Sequence, residues 1–111
     1  MKNTTKPTGF SSLLNHAFEG EDPSQAHAAP IYQSSAFRFE SAQGAAAAFA
    51  GEQSAYIYTR LDNPNHTLVV KKIGALEAWD LLGERPFHEI NQVVDGQLYA
   101  SGMAAISSAV Y

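Results

Sequence analysis

The feature that most constrains this chain is its first third. Residues 1 to about 40 mix Thr, Ser, Pro, Gly and His with isolated apolar residues, and no window holds a helical or alternating period long enough to build a core face. Pro23 and Pro30 fix their own φ and bias the preceding residue away from helix. The segment Pro30-Ile31-Tyr32-Gln33-Ser34-Ser35-Ala36-Phe37-Arg38-Phe39 favours extended chain. An arm of this kind does not offset its own ordering entropy and needs a surface to lie against.

The rest of the chain is patterned. Ser41 is expected to cap an alanine-rich helix over residues 42–50, with Gly51 as its stop. Tyr56-Ile57-Tyr58-Thr59-Arg60-Leu61 suggests extended chain, closed by Asp62-Asn63-Pro64-Asn65 as turn chemistry. From 67 to 82, Val69, Ile73, Leu76 and Trp79 recur at the steps of an amphipathic helix, ended by Gly83 and barred from continuing by Pro86. Residues 87–95 fit a helical face or a short strand, and the choice between them stays open. Asp95-Gly96 is a turn signal, Leu98-Tyr99-Ala100 a short strand, and Ser101-Gly102-Met103 leads into a helical run over 104–110. That run reaches Tyr111 without Gly, Asn or a basic last turn, so the chain is expected to continue.

Charge and composition exclude several functions. Seven Lys plus Arg stand against 11 Asp plus Glu, a net charge of -4, with no basic cluster longer than Lys71-Lys72. Such a chain lacks the footprint that binding a nucleic-acid backbone requires. The sequence contains no cysteine, hence no disulfide, thiolate zinc site or cysteine nucleophile, which fits a reducing, cytoplasmic setting. The longest apolar run, residues 45–50, is far shorter than a membrane span, and no secretory signal follows the start. The histidines at 16, 27, 66 and 88 share no metal-binding spacing, so no metal site is expected. Asp22, Glu77 and Asp80 are candidate acids or bases that nothing in the sequence pairs, and Lys71 and Lys72 are expected on a solvated helix face.

Two pieces suit an anion. In an extended segment Tyr58 and Arg60 point to one face, where a guanidinium gives a charge-assisted contact to phosphate and a phenol adds a neutral donor. Ser101-Gly102-Met103 opens a helix, where free N–H groups and the helix dipole favour negative charge. Gly102 admits close approach and Ser101 can cap or donate. Each piece alone also fits a bland reading: a solvated Tyr and Arg, and an ordinary N-cap.

Taken in order, Pro30-Ile31-Tyr32-Gln33-Ser34-Ser35-Ala36-Phe37, Phe49-Ala50-Gly51-Glu52-Gln53, Tyr58-Thr59-Arg60 with Asn63-Pro64, Leu76-Glu77 and Ser101-Gly102-Met103-Ala104-Ala105-Ile106 form a specific set. The set resembles the amino-terminal part of the Cys/Met-metabolism (trans-sulfuration) family of pyridoxal-phosphate enzymes, nearest its methionine γ-lyase and O-acetylhomoserine sulfhydrylase branch. The resemblance implies an α/β fold, the amino-terminal part of a fold-type I enzyme. It implies an extended arm with a short helix and dimer contacts over 1–66, then the truncated start of the cofactor-binding domain over 67–111. The implied cofactor is pyridoxal 5'-phosphate. Tyr58 and Arg60 would reach the cofactor phosphate of a neighbouring subunit, while Ser101, Gly102 and Met103 would hold the phosphate in their own subunit. A homodimer or homotetramer acting on an amino acid by γ-replacement or γ-elimination is expected, with no nucleic acid or membrane partner.

Departures are visible. Asn65 stands where the family usually has Thr after Asn-Pro, and the stretch between Leu76-Glu77 and Ser101 is longer than usual, by an apparent insertion around 81–96. The family's ring-stacking aromatic, pyridine-pairing Asp and Schiff-base Lys would lie beyond Tyr111, so no catalytic residue is expected in this segment, which should be inactive alone. The rival expectation is a truncated, non-catalytic remnant that binds a full-length relative. A third, a module binding a phosphorylated metabolite, would have to fold as a monomer.

Overall fold

The computed structural model describes residues 9–16, 22–83 and 92–111, and five helices form within them. They are α1 (Phe10–His16), α2 (Ala42–Phe49), α3 (Pro64–Glu77), α4 (Trp79–Leu82) and α5 (Gly102–Val110). No strand forms among the described residues. The only pairing of that kind is an isolated antiparallel bridge between Ala36 and Tyr58.

Helix α1 corrects the expectation of an arm without helix. Phe10, Leu13 and Leu14 have the i, i+3, i+4 spacing of one helical face, too short to register as a period. Docking stabilises it: Leu13 is fully buried with Ala75 and Ala78, and Phe10 meets Trp79 edge-on at 6.0 Å. Residues 22–39 contain no helix and run as turns and extended chain, as expected.

Helix α2 forms where its caps place it. Ser41 is extended, its Oγ accepts from the Gly44 N–H at 3.0 Å, and Gly51 closes the end at φ +75°. Helix α3 begins earlier than expected. Asn63 is its N-cap, accepting from the Asn65 N–H at 2.9 Å, and Pro64 takes the first helical position, where its missing N–H costs nothing. The residues taken as turn chemistry are therefore a helix start, and residue 66 lies inside α3. The helix expected over 67–82 is interrupted at Ala78 (φ -92°, ψ 14°), α4 continues it, and Gly83 ends it at φ +53°.

The expected apolar stripe is only partly covered. Leu76 and Trp79 pack against the core, but Val69 and Ile73 are 43% and 51% exposed. Along the buried side of α3 the cover comes from α1 and the stretch around Val93 and Val94, and the smallest residues, Ala75 and Ala78, form the contact. Gly74 permits this approach, since a Cβ there would lie 3.1 Å from Val94 Cγ1. A Cβ on Gly96 would likewise lie 3.1 Å from Val70 Cγ1.

Leu98-Tyr99-Ala100 does not form the expected strand. Leu98 and Tyr99 are exposed, and no described segment pairs with them. Asp95-Gly96 forms no hydrogen-bonded turn either, although the Gly96 N–H donates to Asp95 Oδ1 at 2.8 Å. Residues 84–91, including Pro86 and much of the open stretch 87–95, lie outside the described residues. Helix α5 follows the expected cap but buries none of its residues. No described helix is long and apolar enough to cross a membrane.

Candidate phosphate-anchoring site

The Tyr58–Arg60 pair sits where the arm crosses the approach to α3. The Phe37 N–H donates to the Ile57 carbonyl at 3.2 Å and the Thr59 N–H to the Ser35 carbonyl at 3.0 Å. Beyond this bridge the chain turns at once, with the N–H groups of Leu61 and Asp62 donating to the Tyr58 carbonyl at 2.8 and 3.1 Å. Arg60 therefore belongs to a turn, and strand alternation does not bring it to Tyr58. The turn folds the guanidinium back over the phenol ring, with Cζ 5.4 Å from the centroid, a cation–π contact. Both side chains are exposed, and no carboxylate pairs with Arg60 among the described residues.

The second group lies at the start of α5. Ser101 is extended (φ -153°, ψ 156°), and its Oγ accepts from the Ala104 N–H at 3.2 Å. Its carbonyl accepts from the Ala105 N–H at 3.2 Å. The N–H groups of Gly102 and Met103 have no intrahelical acceptor, as at any helix start. Nothing lies within 4 Å of a Cβ built on Gly102, and Met103 is exposed. The arrangement offers two open amide donors and a hydroxyl at the positive end of a nine-residue helix.

Two cavities among the described residues lie away from both groups. A cavity of about 710 Å³ lies between the arm and α3, rimmed by Asp22, His27, Tyr32, Tyr56 and Lys71. A smaller one, about 270 Å³, involves His66, Asp95 and Leu98. Neither is lined by Tyr58, Arg60, Ser101, Gly102 or Met103. The other candidates have structural surroundings. Asp22 accepts from the Ser24 and Ala26 N–H groups and from the Tyr32 hydroxyl, Glu77 and Asp80 are exposed, and no group of three or more His, Asp or Glu gathers among the described residues. Lys71 and Lys72 are half-buried on the wall of the large cavity, where a fully solvated face was expected. Tyr32 titrates above its ordinary value of 10.0. The chief cause is the hydrogen bond to Asp22, followed by desolvation and the charge of the same carboxylate.

A cluster missed in the sequence ties the arm to α3. The buried Asn63 donates from Nδ2 to the Tyr32 carbonyl at 3.1 Å and to Thr59 Oγ1 at 3.2 Å. Asn65 accepts from the Tyr32 N–H at 2.8 Å and donates to the Pro30 carbonyl at 2.7 Å. The Thr59 hydroxyl donates to the Ser34 carbonyl. The Asn-Pro-Asn string signals a helix start, but its partners in the arm lie more than thirty residues away.

Residues 11–111 match the family described as Cys/Met metabolism PLP-dependent enzyme. The chain is 36% identical over 104 residues to an L-methionine gamma-lyase of Porphyromonas gingivalis, covering 94% of this chain and 23% of that protein. It is 39% identical over 106 residues to an L-methionine gamma-lyase of Fusobacterium nucleatum, covering 96% of this chain and 23% of that protein. An O-acetyl-L-homoserine sulfhydrylase of Corynebacterium glutamicum is 33% identical over 103 residues, 92% of this chain and 20% of its own length. The chain thus spans about a quarter or less of these relatives, in their amino-terminal part.

Proposed function

Because the chain belongs to the Cys/Met metabolism family of pyridoxal-phosphate-dependent enzymes, we propose that it is the phosphate-anchoring, subunit-contacting front of a trans-sulfuration enzyme. The complete protein would carry out γ-replacement or γ-elimination on O-acetylhomoserine- or methionine-like amino acids, in the cytoplasm, as a homodimer or homotetramer. The segment alone is inactive in this reading. When bound, pyridoxal 5'-phosphate supplies the electron sink for breaking bonds in the amino acid.

The residues of this chain fit the cofactor's phosphate. One observation carries the reading: Arg60 and the Gly102 and Met103 amides, the groups best suited to a phosphate, lack an acidic or carbonyl partner among the described residues. The Gly102 and Met103 amides, with Ser101, would hold the phosphate of their own subunit, each N–H donating to an oxygen at the helix start. Arg60, held over the Tyr58 ring, would reach the phosphate of a neighbouring subunit, and the Tyr58 hydroxyl would add a neutral donor. A division of labour across subunits also accords with neither group lining the two cavities described above. The fold-type I α/β architecture, with an arm over 1–66 and a cofactor-binding domain starting at 67, belongs to this same proposal.

In the complete enzyme, Arg60→Ala removes a charge-assisted hydrogen bond worth about 1.5–3 kcal/mol and should raise the Kd for the cofactor about 10- to 100-fold. An unchanged Kd, measured by titrating the cofactor into apoenzyme, overturns the role given to Arg60.

A further inference from the structure

We propose that Asn65 is a positioning residue for the Tyr58–Arg60 turn, acting by clasping the arm onto the start of α3; the inference rests on the phosphate reading of Arg60 given above. The carboxamide of Asn65 pairs with the arm backbone on either side of Ile31: Oδ1 takes the Tyr32 N–H at 2.8 Å and Nδ2 gives to the Pro30 carbonyl at 2.7 Å. This is how a residue in a parallel strand pairs with the chain beside it, here performed by one side chain where no strand exists. Neighbouring Asn63 completes the hold, since its Nδ2 donates to the Tyr32 carbonyl. Both backbone groups of Tyr32 are thus engaged by the first turn of α3.

The clasp continues to the turn that carries the guanidinium. Asn63 Nδ2 also donates to Thr59 Oγ1 at 3.2 Å, the Thr59 hydroxyl donates to the Ser34 carbonyl, and the Thr59 N–H donates to the Ser35 carbonyl. Thr59 lies between Tyr58 and Arg60, so arm residues 30–35, the helix start and the turn move as one unit. Releasing the arm at Pro30 and Tyr32 frees the strand-like segment against which Thr59 is registered. Threonine at position 65 has one short hydroxyl and cannot span the acceptor and the donor two residues apart as a carboxamide does.

The test uses the complete enzyme and the substitution Asn65→Asp. That change keeps size and the acceptor for Tyr32, but it sets a carboxylate oxygen against the Pro30 carbonyl. A negative charge in the first turn of α3 favours the helix, so helix stability does not fall. The Kd for pyridoxal 5'-phosphate is measured for native enzyme, Asn65→Asp, Arg60→Ala and the double variant, with Asn65→Thr replacing Asn65→Asp should the latter fail to fold. The expected result is a rise of about fivefold from the position-65 change in the native background and almost none in the Arg60→Ala background. Equal factors in both backgrounds overturn the proposal, because Asn65 then acts independently of Arg60. It is also overturned if Arg60→Ala loosens the cofactor and the position-65 change does not. Arg60→Ala without effect overturns the phosphate reading itself, and this inference with it.

Discussion

Two residues carry separable predictions. Ser101 caps α5 through one hydroxyl contact to the Ala104 N–H, so Ser101→Ala should destabilise that helix start by about 1 kcal/mol and loosen the cofactor in the complete enzyme. Ser101→Asp restores the cap and sets a charge beside the phosphate. It should recover helix stability without recovering cofactor affinity, as read by thermal unfolding against cofactor titration. Tyr32 gives a pH test. Its folded pKa lies above its ordinary value of 10.0, so the bond to Asp22 contributes stability that is fully present below that pH and lost as the pH climbs past the raised value. The stability gap between native protein and Tyr32→Phe should stay constant up to about pH 10 and close above it, in denaturant midpoints taken across that range. At this scale the sequence was most legible. Ser41 and Ser101 act on atoms three residues away and Gly51 and Gly83 through their own positive φ, which is why their roles can be read from short strings. The Asn63 and Asn65 contacts to the arm span more than thirty residues, and nothing local announces them.

Among elements, packing on α3 decides what the pattern leaves open. Gly74 is a helix-interior glycine whose replacement by Ala would ordinarily stabilise by about 1 kcal/mol. Here the new methyl would meet Val94 Cγ1 at 3.1 Å, so Val94, half-buried against the Leu13, Ala75 and Ala78 cluster, must shift by a few tenths of an ångström. Gly74→Ala should therefore be destabilising in the native background and stabilising in Val94→Ala, where the obstructing methyls are gone. Thermal unfolding of the four proteins in that cycle checks the change of sign. Helix α1 depends on the same surface. Leu13 is its one fully buried side chain, so Leu13→Ala should cost about 2–5 kcal/mol and expose the Phe10 contact with Trp79. The helical stripe of α3 was legible as a period, but a period names the residues that need cover and not the partner that covers them. That is why Val69 and Ile73 stand exposed while two alanines are buried. Leu98-Tyr99-Ala100 failed as a strand for the same reason, since strand propensity without a neighbour forms no ladder.

Across the whole molecule the described residues bury only four apolar side chains, Leu13, Ala48, Ala75 and Ala78, while Phe49, Leu61, Met103, Ile106 and Val110 are more than half exposed. So small a core does not offset the ordering of the chain, which fits a segment stabilised by contacts beyond itself. The family resemblance was legible because it lies in the order of short strings rather than in any one of them, and the match over 11–111 supports it. The central claim is that one chain contributes to two phosphate sites, its own through Gly102 and Met103 and a neighbour's through Arg60. Mixed dimers test it most directly. One subunit carries Arg60→Ala and the other Gly102→Glu, a change whose Cβ meets nothing within 4 Å among the described residues and which would place a carboxylate against the phosphate. If Arg60 serves the neighbouring subunit, both lesions fall on one site and the other is intact, so half the sites should bind pyridoxal 5'-phosphate with native affinity. If every site in the mixed dimer is weakened and none binds natively, Arg60 serves its own subunit and the account is contradicted.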